Sequence, residues 1–174
     1  MSSIIKVNTY QDANGNALFS SDGSGNVTLS SDAMKNTPAF HIQNNSNQSI
    51  SNLTLTKVNF ANEIFDTDNC FASSRFTPTV SGKYCIYAQI NFDINTGTGQ
   101  IQVRIMKNGN LYQRSRQAHY YGNNQQTYYV QAVVEMNGTT DYIEIDTYQD
   151  SGSTRTLTGD TDLNYFGGYK LIGA

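Results

Sequence analysis

Apolar and polar residues alternate with period two along most of this chain. Within residues 85–94 the even positions, Ile86, Ala88, Ile90, Phe92 and Ile94, are apolar, while the odd ones include Gln89, Asn91 and Asp93. The same beat returns in Ile101, Val103 and Ile105 against Gln102 and Arg104. It returns again in Tyr128, Val130, Ala132, Val134 and Met136, and in Ile143 and Ile145 against Glu144 and Asp146. Successive side chains of a strand point to opposite faces, so each segment predicts a strand with one buried face. Burying one such side chain is worth about 1.5–3 kcal/mol, and faces of this kind need an opposing layer. Two sheets packed face to face are the ordinary solution.

Turn residues fall where such strands require them. Asn108-Gly109 separates two of the segments, and Asn-Gly is a strong two-residue hairpin signal because both residues tolerate positive φ. Ser81-Gly82, Asn137-Gly138 and Ser151-Gly152 punctuate the others. Helix signals are confined to residues 32–35, with Asp32 as a candidate cap and Pro38 as a stop. The expectation is an all-β chain.

The first 35 residues follow a different rule. Residues 12–21 read DANGNALFSS and residues 22–31 read DGSGNVTLSS, so Asp, Gly, Asn and the final Ser-Ser coincide at a period of ten. This predicts a strand-turn unit used twice, in a short β-rich arm (1–35) ahead of a globular domain (36–174). Two copies are too few for a free-standing solenoid. Ile4, Ile5 and Val7 form an apolar tip before the repeat and are the candidates for anchoring the arm to a partner.

Composition narrows the function classes. The chain has 174 residues with a formal net charge of -3, and only 14% of them are charged, against a usual figure of about 25%. Amides, hydroxyls and glycine fill the gap, and 12 Tyr and 8 Phe argue against disorder. Lys and Arg are scattered, which gives no electrostatic footprint for nucleic acid. No apolar run is long enough to span a membrane. The opening MSSIIKVNTYQD lacks the regions of a signal peptide, so assembly in a cytoplasm is expected. Without that peptide the sequons at Asn26, Asn44, Asn47, Asn52 and Asn137 carry no weight. Cys70 and Cys85, fifteen apart, match neither a zinc pair nor a redox motif. They read as small apolar residues near the core, with a disulfide as the alternative.

No catalytic motif emerges. His41 and His119 belong to no zinc or nucleophile spacing. Asp66 with Asp68, and Asp160 with Asp162, offer the paired oxygens that calcium uses. Neither pair is followed by the Gly and Glu of a twelve-residue calcium loop. The expectation is no enzyme and no cofactor, with Ca2+ the one ion left to weigh. The unusual stretch is AHYYGNNQQTYY, residues 118–129. Tyr120, Tyr121, Asn123, Asn124 and Tyr128 combine flat rings with amides, as a saccharide site does, and are the candidate receptor or glycan contacts. The alternative is a hairpin connection whose rings pack against a neighbour.

Residues 76–84 (FTPTVSGKY), 101–109 (IQVRIMKNG), the strand at 131–136 with its Gly138 turn, and 166–171 (FGGYKL) resemble, in order and spacing, the globular domain of the C1q/TNF superfamily. The resemblance covers residues 40–171 and implies a two-sheet antiparallel jelly-roll that works as a homotrimer. Around a three-fold axis, wedge-shaped sandwiches bury an aromatic flank in a closed assembly. Tyr87, Met106, Tyr142 and Tyr148 lie opposite the core positions and are the trimer-interface candidates. The opening KVNT-x-x-D-x-x-G-N followed by GSGNVTLS resembles the heads of structural proteins from tailed bacteriophages. Together the two resemblances imply a non-enzymatic virion surface protein, bound to a phage capsid or tail protein. A capsid decoration (cement) protein is the first reading. A short head or tail fibre that touches a host glycan is the alternative.

Overall fold

The computed structural model describes residues 7–30, 34–93, 98–119 and 125–173. Among them there is no α-helix, and residues 32 and 33 of the candidate turn at 32–35 lie outside the described residues. The strands are β1 (Thr9–Gln11), β2 (Ala17–Ser21), β3 (Val27–Leu29), β4 (Ala39–Gln43), β5 (Gln48–Ile50), β6 (Thr56–Lys57), β7 (Asn62–Asp66) and β8 (Phe71–Ala72). They continue with β9 (Arg75–Phe76), β10 (Gly82–Asp93), β11 (Gly99–Lys107), β12 (Asn110–His119), β13 (Gln125–Met136), β14 (Ile143–Gln149), β15 (Arg155–Leu157) and β16 (Tyr165–Lys170).

Two antiparallel sheets form the body. In one, β10 pairs along its whole length with β13 and on its other edge with β16 and β15; β4 and β7 extend beyond β16, and β5 beyond β15. In the other, the order is β12-β11-β14-β9-β8, with β6 also against β14. The predicted even positions of β10 and β13 and the odd positions of β11 and β14 point between the sheets. Ile86, Ala88, Ile90, Phe92, Ile101, Val103, Ile105, Ile143 and Ile145 are fully buried there. Ile94 lies outside the described residues. Phe40 and Phe166 from one sheet meet Phe76 from the other, with Phe40 to Phe76 stacked at 4.2 Å and Phe40 to Phe166 edge-on at 4.9 Å. Such aromatic pairs add about 0.5–1.5 kcal/mol beyond the area they bury.

The amides that replace charges in this composition work inside the fold. Buried Asn164 accepts the Asn91 backbone N–H through Oδ1 at 2.6 Å, and donates to Thr158 Oγ1 and the Asp160 carbonyl. Buried Gln149 donates to the Ile50 and Ser153 carbonyls while its Oε1 accepts from Ser151. A buried amide left without partners would cost about 1–3 kcal/mol, so these networks fix how the loops close one end of the sandwich. The Asn108-Gly109 hairpin forms as predicted, with φ of 52° and 75° and Lys107 opposite Asn110.

The ten-residue repeat is one strand plus one turn. Asp12 Oδ1 accepts the backbone N–H of Asn14 and Asn16, and its Oδ2 accepts Asn16 Nδ2. Asp22 does the same with Ser24 and Asn26. These bonds hold both exposed carboxyls below their ordinary pKa. The resulting three-stranded sheet, β1-β2-β3, makes no ladder with the body. One of its faces carries Tyr10 stacked on Phe19, with Leu29 as the next cross-strand partner.

Candidate functional site

The register makes the outward face of the β10 sheet an extended uncharged surface. Its central row runs Gln131, Tyr87, Gly167, His41, Phe65 across β13, β10, β16, β4 and β7. Flanking rows place Tyr129, Gln89, Tyr165 and Gln43 on one side, and Val133, Cys85 and Tyr169 on the other. Across β10, β13, β16 and β4, ionised groups enter this face only at its ends, at Lys83 with Glu135 and at Asp93. Val133, Phe65, Tyr129 and Tyr169 are 51, 46, 43 and 40% exposed in the single chain.

Gly167 gives the face its shape. A Cβ there would lie 2.5 Å from the Tyr87 ring, so only glycine lets that ring lie flat across β16. The ring then reaches β4, where Tyr87 Oη sits 3.3 Å from His41 Nδ1. Tyr165 and Phe65 flank the imidazole at 5.5 and 6.2 Å between ring centres. Burial holds the His41 pKa below its ordinary value, and pushes the hydroxyls of Tyr87, Tyr129 and Tyr165 up. The polar tips are satisfied within the chain: Tyr129 donates to Gln131, Gln131 to Cys85 Sγ, and Tyr165 to Gln89. What remains outward is ring and aliphatic surface, uncharged at neutral pH. Such a surface is cheap to dehydrate, as an interface core requires.

The four interface candidates do not share this face. Tyr87 lies at its centre, but Met106 and Tyr148 belong to the other sheet, and Tyr142 immediately precedes that sheet's strand β14. Met106 is buried, the Arg75 guanidinium stacks 3.8 Å over Tyr142, and Arg104 lies 5.5 Å over Tyr148. Period two tells which side of a strand is outward, not which sheet the strand joins. Tyr129, Tyr165, Tyr169 and His41 were therefore missed. The alternation of Tyr165, Gly167 and Tyr169 around a Gly-Gly pair was their available signal.

Of the glycan candidates, Tyr128 is corrected to a core residue. It is 2% exposed, its ring meets Phe92 edge-on, its hydroxyl donates to Gln126 and burial pushes its pKa up to about 12. Period two prevails there over the tyrosine-rich context. Tyr120, Tyr121, Asn123 and Asn124 lie outside the described residues, as do Ile4 and Ile5; Val7 is exposed at the start of the arm.

Cys70 and Cys85 are buried free thiols, with burial pushing the Cys70 thiol up. Asp66 caps a turn by accepting the Phe71 N–H, and Asp160 and Asp162 stand exposed. Among the described residues, no three His, Cys, Asp or Glu side chains converge as a metal site needs. A groove of about 460 Å³ beside the β8–β9 hairpin contains Cys70, Lys57 and Arg75. Both of these cations already hold Glu144.

No family model matches the chain, and no curated protein does. Solved structures do. Murine APRIL at pH 8.0 is similar over 76% of this chain and 98% of its own, at 16% identity and a TM-score of 0.57. Eiger TNF from S. frugiperda is similar over 80% and 96%, at 13% identity and a TM-score of 0.59. At these identities the likeness is one of fold, and the sandwich is a jelly-roll of the TNF-like kind.

Proposed function

We propose that the chain is a non-catalytic, self-associating module that trimerises through the outward face of the β10 sheet and sits on the surface of a virus particle. The observation that carries the assembly is the uncharged row around Tyr87, Gly167 and His41. It combines aromatic anchors with satisfied polar tips, the composition of an interface core. A face repeated on every copy is buried most fully by closed rotational symmetry. The C1q/TNF-like body supports three as the number of copies.

The arm supports attachment. Three short strands with one apolar face are marginal by themselves and gain from a cover. A capsid or tail protein is the cover this reading assigns, and the phage-like opening of the chain supports it. Light scattering on the purified chain should give three times the mass of one copy, and a stable monomer would refute the assembly. Deleting residues 4–7 should leave the trimer intact and release it from particles; retention there would refute the anchoring role.

A further inference from the structure

The chain has five arginines, and three of them, Arg104, Arg114 and Arg116, come together on the outward face of the other sheet. A local irregularity puts them there. From the Asn108-Gly109 turn the ladder starts with Lys107 opposite Asn110 and Met106 opposite Leu111, and then shifts by one residue. Without that bulge, Arg104 would face Gln113, and Arg114 and Arg116 would point to the opposite side. With it, Arg104 faces Arg114 and Gln102 faces Arg116. Bulges re-aim side chains in this way, often beside functional sites.

The arrangement carries a repulsion between Arg104 and Arg114 that nearby Asp146 offsets only in part and that an anionic ligand would relieve. Like charges directly opposite on neighbouring strands repel, in a chain whose net charge is -3. The other cations paired on this face have a carboxylate, since Lys57 and Arg75 share Glu144. Among the described residues the three arginines make no ion pair. Asp146 lies opposite Arg104 in the ladder, yet Arg104 turns both Nε and Nη2 onto Gln102 Oε1, at 3.0 and 2.8 Å. Gln102 is itself only 5% exposed. A buried amide and the Tyr148 ring thus orient the Arg104 fork, while Arg114 and Arg116 stay exposed. Charges on an edge strand also deter strand addition. That accounts for positive charge on β12, but not for an oriented guanidinium on the inner strand β11.

From this geometry we infer that Arg104, Arg114 and Arg116 form a subsite for the acidic groups of an anionic polysaccharide. Guanidinium forks match carboxylate and sulfate bidentately. Tyr148 adds a ring of the kind that suits a sugar face, and Gln102 serves only to orient the Arg104 fork. A nucleic-acid duplex needs a longer track of phosphate contacts than three cations on two strands provide. The site lies on the sheet opposite the assembly face, so it goes beyond the proposed function and does not rest on it.

The test is retention of the full chain on immobilised polygalacturonate (carboxylate) and dextran sulfate, beside neutral dextran and duplex DNA. Binding is expected to at least one acidic polysaccharide in dilute salt and not to dextran, with release at roughly 0.5 M salt as screening shortens. The double variant Arg114→Gln, Arg116→Gln should weaken it about tenfold or more, the loss of about 1.4 kcal/mol. Arg104→Lys, which keeps the charge but not the fork, should weaken it less. Lys83→Gln on the other sheet should leave it unchanged. No retention of the native chain, undiminished retention of the double variant, or equally strong retention on DNA would each overturn the assignment.

Discussion

Among the described residues, the outward face shared by β10, β13, β16 and β4 holds no ionised side chain between Lys83 and Asp93, whereas Arg104, Glu144 and Asp146 crowd the outward face of β11 and β14. Both faces come from the same alternating ribbons over one core. The difference lies in what dehydration would cost. Rings and internally bonded amides lose little when water leaves, while each ion must find a partner or stay wet. Burial on the ionic face already shows the strain. It pushes the Asp146 carboxyl above its ordinary pKa, helped by Glu144, and lowers the Arg104 guanidinium, helped by Arg114. On the proposed reading, one face suits covering and the other suits water or a charged ligand.

The largest expected effect removes both faces together. Phe166 packs against Phe40, Phe60 and Phe71 in the shared core. Phe166→Ala should cost about 3–5 kcal/mol. Thermal circular dichroism should show one earlier transition, because neither sheet has a core of its own. Two separate transitions would mean that the faces belong to independent units.

A charge placed on each face separates them. Tyr87→Asp puts a carboxylate in the middle of the uncharged row, where covering it would cost several kcal/mol. The variant should run as a single copy in light scattering while keeping its strand spectrum. Tyr142→Asp, on the ionic face, should leave the mass of the assembly unchanged. If both variants assemble equally well, the β10 face is not the contact.

Much of this was legible in the sequence, for a physical reason. Parity along a strand is local, so the inward sets Ile86 to Phe92 and Ile101 to Ile105 could be read directly. So could the Asp-x-x-Gly-Asn turns, whose hydrogen bonds span four residues. Sheet membership is not local, and Tyr87 and Tyr148 looked alike until the ladders parted them. The Arg104–Arg114 pair hides behind a one-residue shift that no propensity announces. The β8–β9 turn is also opaque, since Ser73 and Ser74 both hold positive φ where glycine or asparagine would be expected. Ser74 Oγ offsets this by accepting from the Phe60 N–H and donating to the Phe60 carbonyl, a contact fourteen residues away.

Gly167→Ala probes the shape of the uncharged face without adding charge. Its new methyl would occupy the place of the Tyr87 ring, and overpacking of this kind costs about 1–3 kcal/mol. The ring should lift from β16 and lose His41, seen as a lower melting temperature and a shifted histidine resonance. An unshifted resonance would show that the ring does not depend on the glycine.

A smaller effect comes from protons on His41. Its folded pKa lies below the ordinary value of about 6.5 because burial disfavours the imidazolium. As the pH falls below 6.5, the unfolded chain binds the proton first, so stability rises with pH across that window. His41 contributes fully above about 6.5, and its contribution is lost as acid carries the pH down through the folded value. The melting temperature should therefore fall between pH 7.5 and pH 5, and fall less in His41→Gln. Equal slopes in the two proteins would assign the effect to other groups.

The smallest effect belongs to the ionic face. Glu144 Oε1 accepts Lys57 Nζ at 3.2 Å and Arg75 Nη2 at 2.9 Å, and both cations are substantially exposed. Exposed ion pairs are worth about 0–1 kcal/mol each and weaken in salt. Glu144→Gln keeps the size and a hydrogen-bond acceptor, so it removes charge alone. It should lower the melting temperature slightly at low salt and not at all near 1 M, with the assembly unchanged. A loss as large as that of Gly167→Ala, persisting in salt, would mean that this carboxylate is held as tightly as the rings across the sandwich, and the contrast between the two faces would fail.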